Sequence, residues 1–135
     1  ISRLSINSTV NYENEKIDDG KNTEKISLDK EKIVGTAALE MGLDKEDAED
    51  LINTFFKDFI QQQSMLKSAF IEQDYAKVSE IAHSIAGASA NLRIDEISIP
   101  GRALNNILRD KNSYTELEIK EAKELVEKIL VTDIN

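Results

Sequence analysis

The chain has 135 residues, 40% hydrophobic and 32% charged, with a formal net charge of −9 at pH 7. That suffices for one domain with a modest core, and it argues against a surface that must neutralise nucleic-acid phosphates or an anionic membrane. There is no Cys and no Trp, so disulfides, thiolate metal sites and cysteine nucleophiles are excluded, and the core must be Ile, Leu, Val, Ala and a few Phe.

Residues 1 to about 27 are rich in Ser, Asn, Thr, Asp, Glu and Lys with no sustained hydrophobic period. This is the composition of a linker or of the frayed end of a preceding domain, with one short strand pattern at Arg3 to Val10. From Leu28 onward helical signals follow in series. Asp29 is placed to cap a helix ending at Met41, with Ile33, Val34, Ala37, Ala38 and Met41 on one side and Gly42 as its stop. Asp44 opens a long helix to about Gln73, with Leu51, Ile52, Phe55, Phe56, Phe59, Met65, Leu66, Ala69 and Phe70 along its seam. At about 1.5 Å per residue it would span about 45 Å. The glutamines at 61, 62 and 63 read as a solvated stretch. Asp74 is a natural cap for a third helix, Tyr75 to about Leu92. Asp95 is placed to cap a fourth that ends near Asp110, with Ile97, Ala103, Leu104, Ile107 and Leu108 inward. Pro100 and Gly101 predict a late start or a bend there. A polar loop leads to a fifth helix, Thr115 to Val131, with Leu117, Ile119, Ala122, Leu125, Val126, Ile129 and Leu130 as its apolar set. Residues 28–132 therefore predict an all-α domain, an antiparallel up-down four-helix bundle with an additional N-terminal helix, monomeric as an isolated domain. No run approaches the roughly 20 apolar residues that span a bilayer and no signal-peptide pattern is visible, so the expected compartment is the cytoplasm. Ile at position 1 reads as an excerpt from a longer protein.

The third helix carries the only histidine of the chain. Wound at about 100° per residue with His83 at zero, Val78, Ile81, Ile85, Ala88 and Leu92 fall within about 40° of the opposite pole. That stripe reads as the core face, which leaves His83 at the centre of the outer face. Its neighbours there are Ala76, Ser79, Glu80, Ala86, Gly87 and Ala90, all small except Glu80. A solvent-facing helix usually carries long charged side chains, and Gly87 in mid-helix costs about 1 kcal/mol relative to Ala. A lone histidine on a helix is by itself most often incidental. A low collar around an exposed imidazole, however, makes sense where another protein must come within bonding distance of the ring. Hydrolysis would require a base or nucleophile partner, and a metal would require further ligands at defined spacing, neither of which accompanies this position. Neutral imidazole is a nucleophile at cellular pH and can hold a phosphoryl group, while the partner supplies Mg²⁺ and the other charges.

The segment Ala82-His83-Ser84-Ile85-Ala86-Gly87-Ala88-Ser89-Ala90-Asn91-Leu92 resembles the signature of histidine-containing phosphotransfer (HPt) domains. That pattern is His on a helix, Lys three residues on, then Gly, small residues and Leu. The Phe-rich helix upstream, the Gln73-Asp74-Tyr75 turn and the Leu104-Asn105-Asn106-Ile107-Leu108 segment match in order and spacing, so the resemblance covers roughly Leu28 to Leu130. It implies a helical bundle, His83 as phosphoacceptor, Gly87 as the residue permitting close approach, and partner docking around Ser79, Ala86, Gly87 and Ala90. It also implies receiver domains of response regulators or hybrid kinases as partners, and a phosphocarrier with no cofactor or metal rather than an enzyme in its own right. Its place would be within a two-component phosphorelay, including the cytoplasmic part of a membrane-anchored sensor kinase.

One departure matters: the family's Lys falls on Ala86, so the positive charge beside the phosphoryl is absent. Arg93 is the candidate replacement on that flank, with Lys77 and Arg102 as further candidates that the sequence does not place. The absent Lys leaves three readings: a slower phosphoacceptor, a charge supplied by the partner, or a module that docks to receiver or kinase domains without carrying phosphate.

Overall fold

The computed structural model describes residues 25–134, which form five helices and two short strands: β1 (Ile26–Leu28), α1 (Lys30–Met41), α2 (Lys45–Ile71), α3 (Tyr75–Asn91), α4 (Asp95–Leu108), α5 (Glu116–Leu130) and β2 (Thr132–Ile134). The described chain is predominantly helical, as the periodicity predicts. The expected strand at Arg3 to Val10 lies outside the described residues.

Local chemistry sets most helix starts. The side chains of Asp29, Asp44 and Asp74 accept hydrogen bonds from the backbone N–H groups of Lys32, Asp47 and Lys77 at 3.3, 2.8 and 3.2 Å. Each satisfies a donor that the first helical turn leaves without a partner. Thr115 and Glu118 make a reciprocal capping box at the start of α5, at 3.1 and 2.9 Å. The fourth helix departs from expectation. Its N-cap is Ile94, without a side-chain hydrogen bond, and Asp95 sits inside the first turn, where its charge still faces the positive end of the helix dipole. Pro100 neither delays nor interrupts the helix. The carbonyl that its missing N–H would have bonded belongs to Glu96, an exposed first-turn residue that can turn to water instead.

The helix ends share one device. Gly42, Gln73, Arg93 and Asp110 follow α1 to α4 in the left-handed region, at φ 67°, 60°, 61° and 58°. At the end of α2 the N–H groups of Gln73 and Asp74 bond the carbonyls of Phe70 and Ala69, and α3 closes in the same way through Arg93 and Ile94. Only the first of these four positions is glycine.

Helix α1 packs on α2, α2 on α3 and α5, α3 on α4, and α4 on α5. Between them lie Ile52, Phe59, Leu66, Val78, Ile85, Ile94, Ile97, Leu104, Leu108, Val126 and Ile129, all fully buried. Phe55, Phe56 and Phe59 pack as two edge-to-face pairs and one stacked pair, with centroids 4.9–5.7 Å apart. Leu51, Met65, Met41 and Leu117, expected on the inner seams, are exposed instead. Ala103 and Ile107 of α4 are only half-buried, whereas Pro100 and Gly101 are buried.

The strands pair in parallel, Ile26 with Thr132 and Leu28 with Ile134, and tie the two ends of the domain together. Gln63, expected in a solvated stretch, donates from Nε2 to the carbonyls of Ile129 and Thr132, both at 2.9 Å, and so fixes α2 to the end of α5.

Candidate functional site

Helix α3 is buried over more of its circumference than one core stripe requires. Val78, Ile81, Ile85 and Leu92 enter the core as predicted, but Ala88 is exposed. A second buried strip, Ser79, Ala82, Ala86 and Ser89, lies beside it. Two contacts show that α4 covers part of this strip. The Ser79 hydroxyl donates to Asn105 Oδ1 at 2.8 Å. At Gly101 the helices meet so closely that an added Cβ would stand 3.3 Å from Ala86 Cβ and 3.4 Å from the Ala82 carbonyl oxygen. Ser89, fully enclosed, returns its hydroxyl to the Ile85 carbonyl at 2.6 Å.

His83 lies outside both strips and is exposed, as are Glu80, Ser84, Gly87 and Ala88, while Ala90 is half-buried. The imidazole has no hydrogen bond or ion pair to another described residue. Its two flanks are fixed by neighbouring helices: Gln62 of α2 donates to Ser84 Oγ at 3.0 Å, and the Ser79–Asn105 bond holds α4. Gly87, one turn beyond the histidine, has open space around it, since an added Cβ would meet nothing within 4 Å. No packing among the described residues therefore requires glycine there.

The four expected docking residues differ in exposure. Ser79 and Ala86 are only 8% and 6% exposed, so they are small because α4 lies on them and cannot form the open collar. Gly87 and Ala90 keep an accessible face, which Ser84 and Ala88 extend. The candidate cations also separate. Arg93 follows the last turn of α3, ten residues and about 15 Å of helical rise beyond His83. Its Nε pairs with Glu40 of α1 at 3.3 Å and its Nη1 bonds the Ala90 carbonyl at 3.2 Å, so it joins α3 to α1. Lys77 lies in the first turn of α3, about 9 Å of rise below His83. Arg102 is exposed on α4, next to the residue that touches Ala86.

Sequence reasoning missed Ser84 and Asn105, whose partners come from other helices and leave no local signal. Chemically, the site offers one accessible imidazole in a shallow surface between α2 and α4, with a single carboxylate, Glu80, on its own face. Among the described residues no group of three or more His, Asp or Glu side chains stands together as a metal site would, and no helix is long and apolar enough to cross a membrane. Comparison with protein-family models, curated proteins and solved structures finds no match for this chain.

Proposed function

We propose that this domain is a histidine phosphotransfer module in which His83 accepts a phosphoryl group from a receiver-domain aspartate, or from a kinase, and passes it on. The lone pair of the unprotonated ring nitrogen forms an N–P bond as the bond from phosphorus to the aspartyl oxygen breaks, and the aspartate leaves as its carboxylate. The proton on the other ring nitrogen takes no part in that step. The reverse sequence returns the group to a second aspartate. The domain is a carrier: Mg²⁺ and most of the charge that stabilises transfer come with the partner. The cycle of helix contacts from α2 through α3, α4 and α5 back to α2 supports the four-helix bundle reading, with α1 as the additional helix. Its setting would be a two-component phosphorelay, in or beside a hybrid sensor kinase in the cytoplasm.

The observation that carries the proposal is the exposed imidazole beside a glycine that no packing among the described residues requires. A mid-helix Gly gives up about 1 kcal/mol, and open space above it is what an approaching protein surface would use. The test uses phosphoramidate, a small phosphoryl donor, so no partner need be identified. The protein should gain one acid-labile, base-stable phosphoryl group, and His83→Gln should gain none. Equal labelling of the variant would sink the proposal.

A second reading, a docking module that carries no phosphate, rests on Ala86 standing where the family has Lys. It predicts no label from phosphoramidate, with receiver binding that is unchanged in His83→Ala.

A further inference from the structure

We infer that Arg102 of α4 supplies the positive charge for a phosphoryl group on His83 that Ala86 cannot supply. The inference rests on the phosphotransfer reading above and names the residue of this chain that would bind the transferred group.

Two contacts set the register of α3 against α4. Ser79 is bonded to Asn105, and Ala82 and Ala86 flank Gly101. These contacts run in opposite senses along the two helices, so moving up α3 from Ser79 to Ala86 means moving down α4 from Asn105 to Gly101. His83 lies between Ala82 and Ala86 and therefore stands level with Gly101 and Arg102. The face follows from burial. On α3, turning about 70° from the strip that meets α4, away from the core, arrives at His83. On α4, turning by a similar angle from Gly101 and Asn105, again away from the core, arrives at Arg102. Both residues are exposed. They are thus the two lips of one shallow groove at one height. The glycine–alanine contact puts the helix axes at the close end of the usual 8–10 Å range, roughly, so an extended arginine can bridge the gap.

Charge points the same way. A phosphoryl on His83 would bring close to two negative charges beside Glu80, three residues before it on the same face. Arg93 is held by Glu40. Arg102 has no ion pair or hydrogen bond to another described residue, so its planar guanidinium is available to bind phosphoryl oxygens in pairs. Asn105, one turn further along α4, supports the same end: with its Oδ1 taken by Ser79, its amide N–H groups remain for the groove.

The experiment measures the rate of phosphoryl uptake from phosphoramidate by the whole chain. In that step the N–P bond to His83 forms as the donor's P–N bond breaks and ammonia leaves. Arg102→Ala should slow uptake about tenfold and shorten the lifetime of the loaded state, with an unchanged circular dichroism spectrum and thermal midpoint. Arg102→Lys should recover part of the rate, and the wild-type rate should fall with added salt more steeply than that of Arg102→Ala. Arg93→Ala should match the wild type. If wild type and Arg102→Ala load at the same rate, the inference fails while the phosphotransfer reading stands. If neither loads on His83, the reading fails and takes the inference with it.

Discussion

The close approach of α3 and α4 can be tested at Gly101, where two effects of similar size oppose each other. Gly101→Ala gains about 1 kcal/mol of helix propensity. The new Cβ would lie 3.3 Å from Ala86 Cβ, and 3.4 Å from both Ala86 Cα and the Ala82 carbonyl oxygen. Carbon atoms prefer roughly 3.5–4.0 Å, so the helices must part by a few tenths of an ångström. None of these three atoms can swing aside, because one is a fixed alanine methyl and the others are backbone of α3. The two terms nearly cancel, and the alanine variant should lie within about 1 kcal/mol of wild type.

Gly101→Val is different. Its two methyl groups enlarge a contact already at its limit, and overpacking of this kind costs roughly 1–3 kcal/mol. The small propensity gain of Val over Gly does not offset that. In urea unfolding followed by circular dichroism, Val should lose that amount while Ala stays near wild type; in thermal scans each kcal/mol corresponds to about 4 °C. Adding Ala86→Gly to the valine variant removes the opposing methyl and should recover part of the loss, a coupling that distant sites would not show. A valine variant as stable as wild type would refute the account of the α3–α4 contact, and with it the register that places Arg102 beside His83.

Three other outcomes are expected. Gly87→Ala should raise stability by roughly 0.5–1 kcal/mol, since the methyl meets nothing within 4 Å; Gly87→Gln should leave loading from phosphoramidate intact but slow transfer from a phosphorylated receiver, read as two rates on one protein. Gln63→Ala should cost about 1–3 kcal/mol in urea unfolding, because it strips the carbonyls of Ile129 and Thr132 of a shared donor; an unchanged midpoint would remove Gln63 as the tie between α2 and α5. The Glu118 carboxyl is held below its ordinary range first by its bond to Lys111 and then by the backbone of Thr115. A depressed pKa stabilises the fold above the unfolded value, and that contribution is lost as pH falls through the folded one. Glu118→Gln should therefore be less stable than wild type near neutral pH, with the difference closing in acid below the ordinary carboxylate range.

What could be read from the sequence was chemistry that acts locally. Asp29, Asp44 and Asp74 cap helices because each side chain reaches an N–H only three residues away, and all three are in place. Asp95 misled because the tight turn after Leu92 buries Ile94 and begins the helix on it, a consequence of packing against the core. The left-handed endings at Gln73, Arg93 and Asp110 carry no glycine to announce them. The strand pairing of Ile26–Leu28 with Thr132–Ile134 joins segments more than a hundred residues apart, each too short to show a period of two. Within the site, the helical wheel separates a core side from the rest and so finds His83. It does not reveal a second neighbour. Ser79 and Ala86 look like part of an open collar because a small residue at an interface and a small residue under a docking partner have the same composition.

That ambiguity is resolved by asking of each small residue what a larger one would strike. At Gly101 the answer is α3 itself, so smallness there is explained inside the chain and says nothing about a partner. At Gly87 the answer is nothing, yet the helix still gives up about 1 kcal/mol to keep glycine in mid-run. On the phosphotransfer proposal, that loss has its compensation outside the molecule, in a partner surface that closes over the turn following His83. The two glycines, one residue from Ala86 in sequence and one in contact with it across the interface, thus divide the region around the histidine. On one side α4 is drawn in close enough to bring Arg102 level with the ring; on the other the way to the ring is left open.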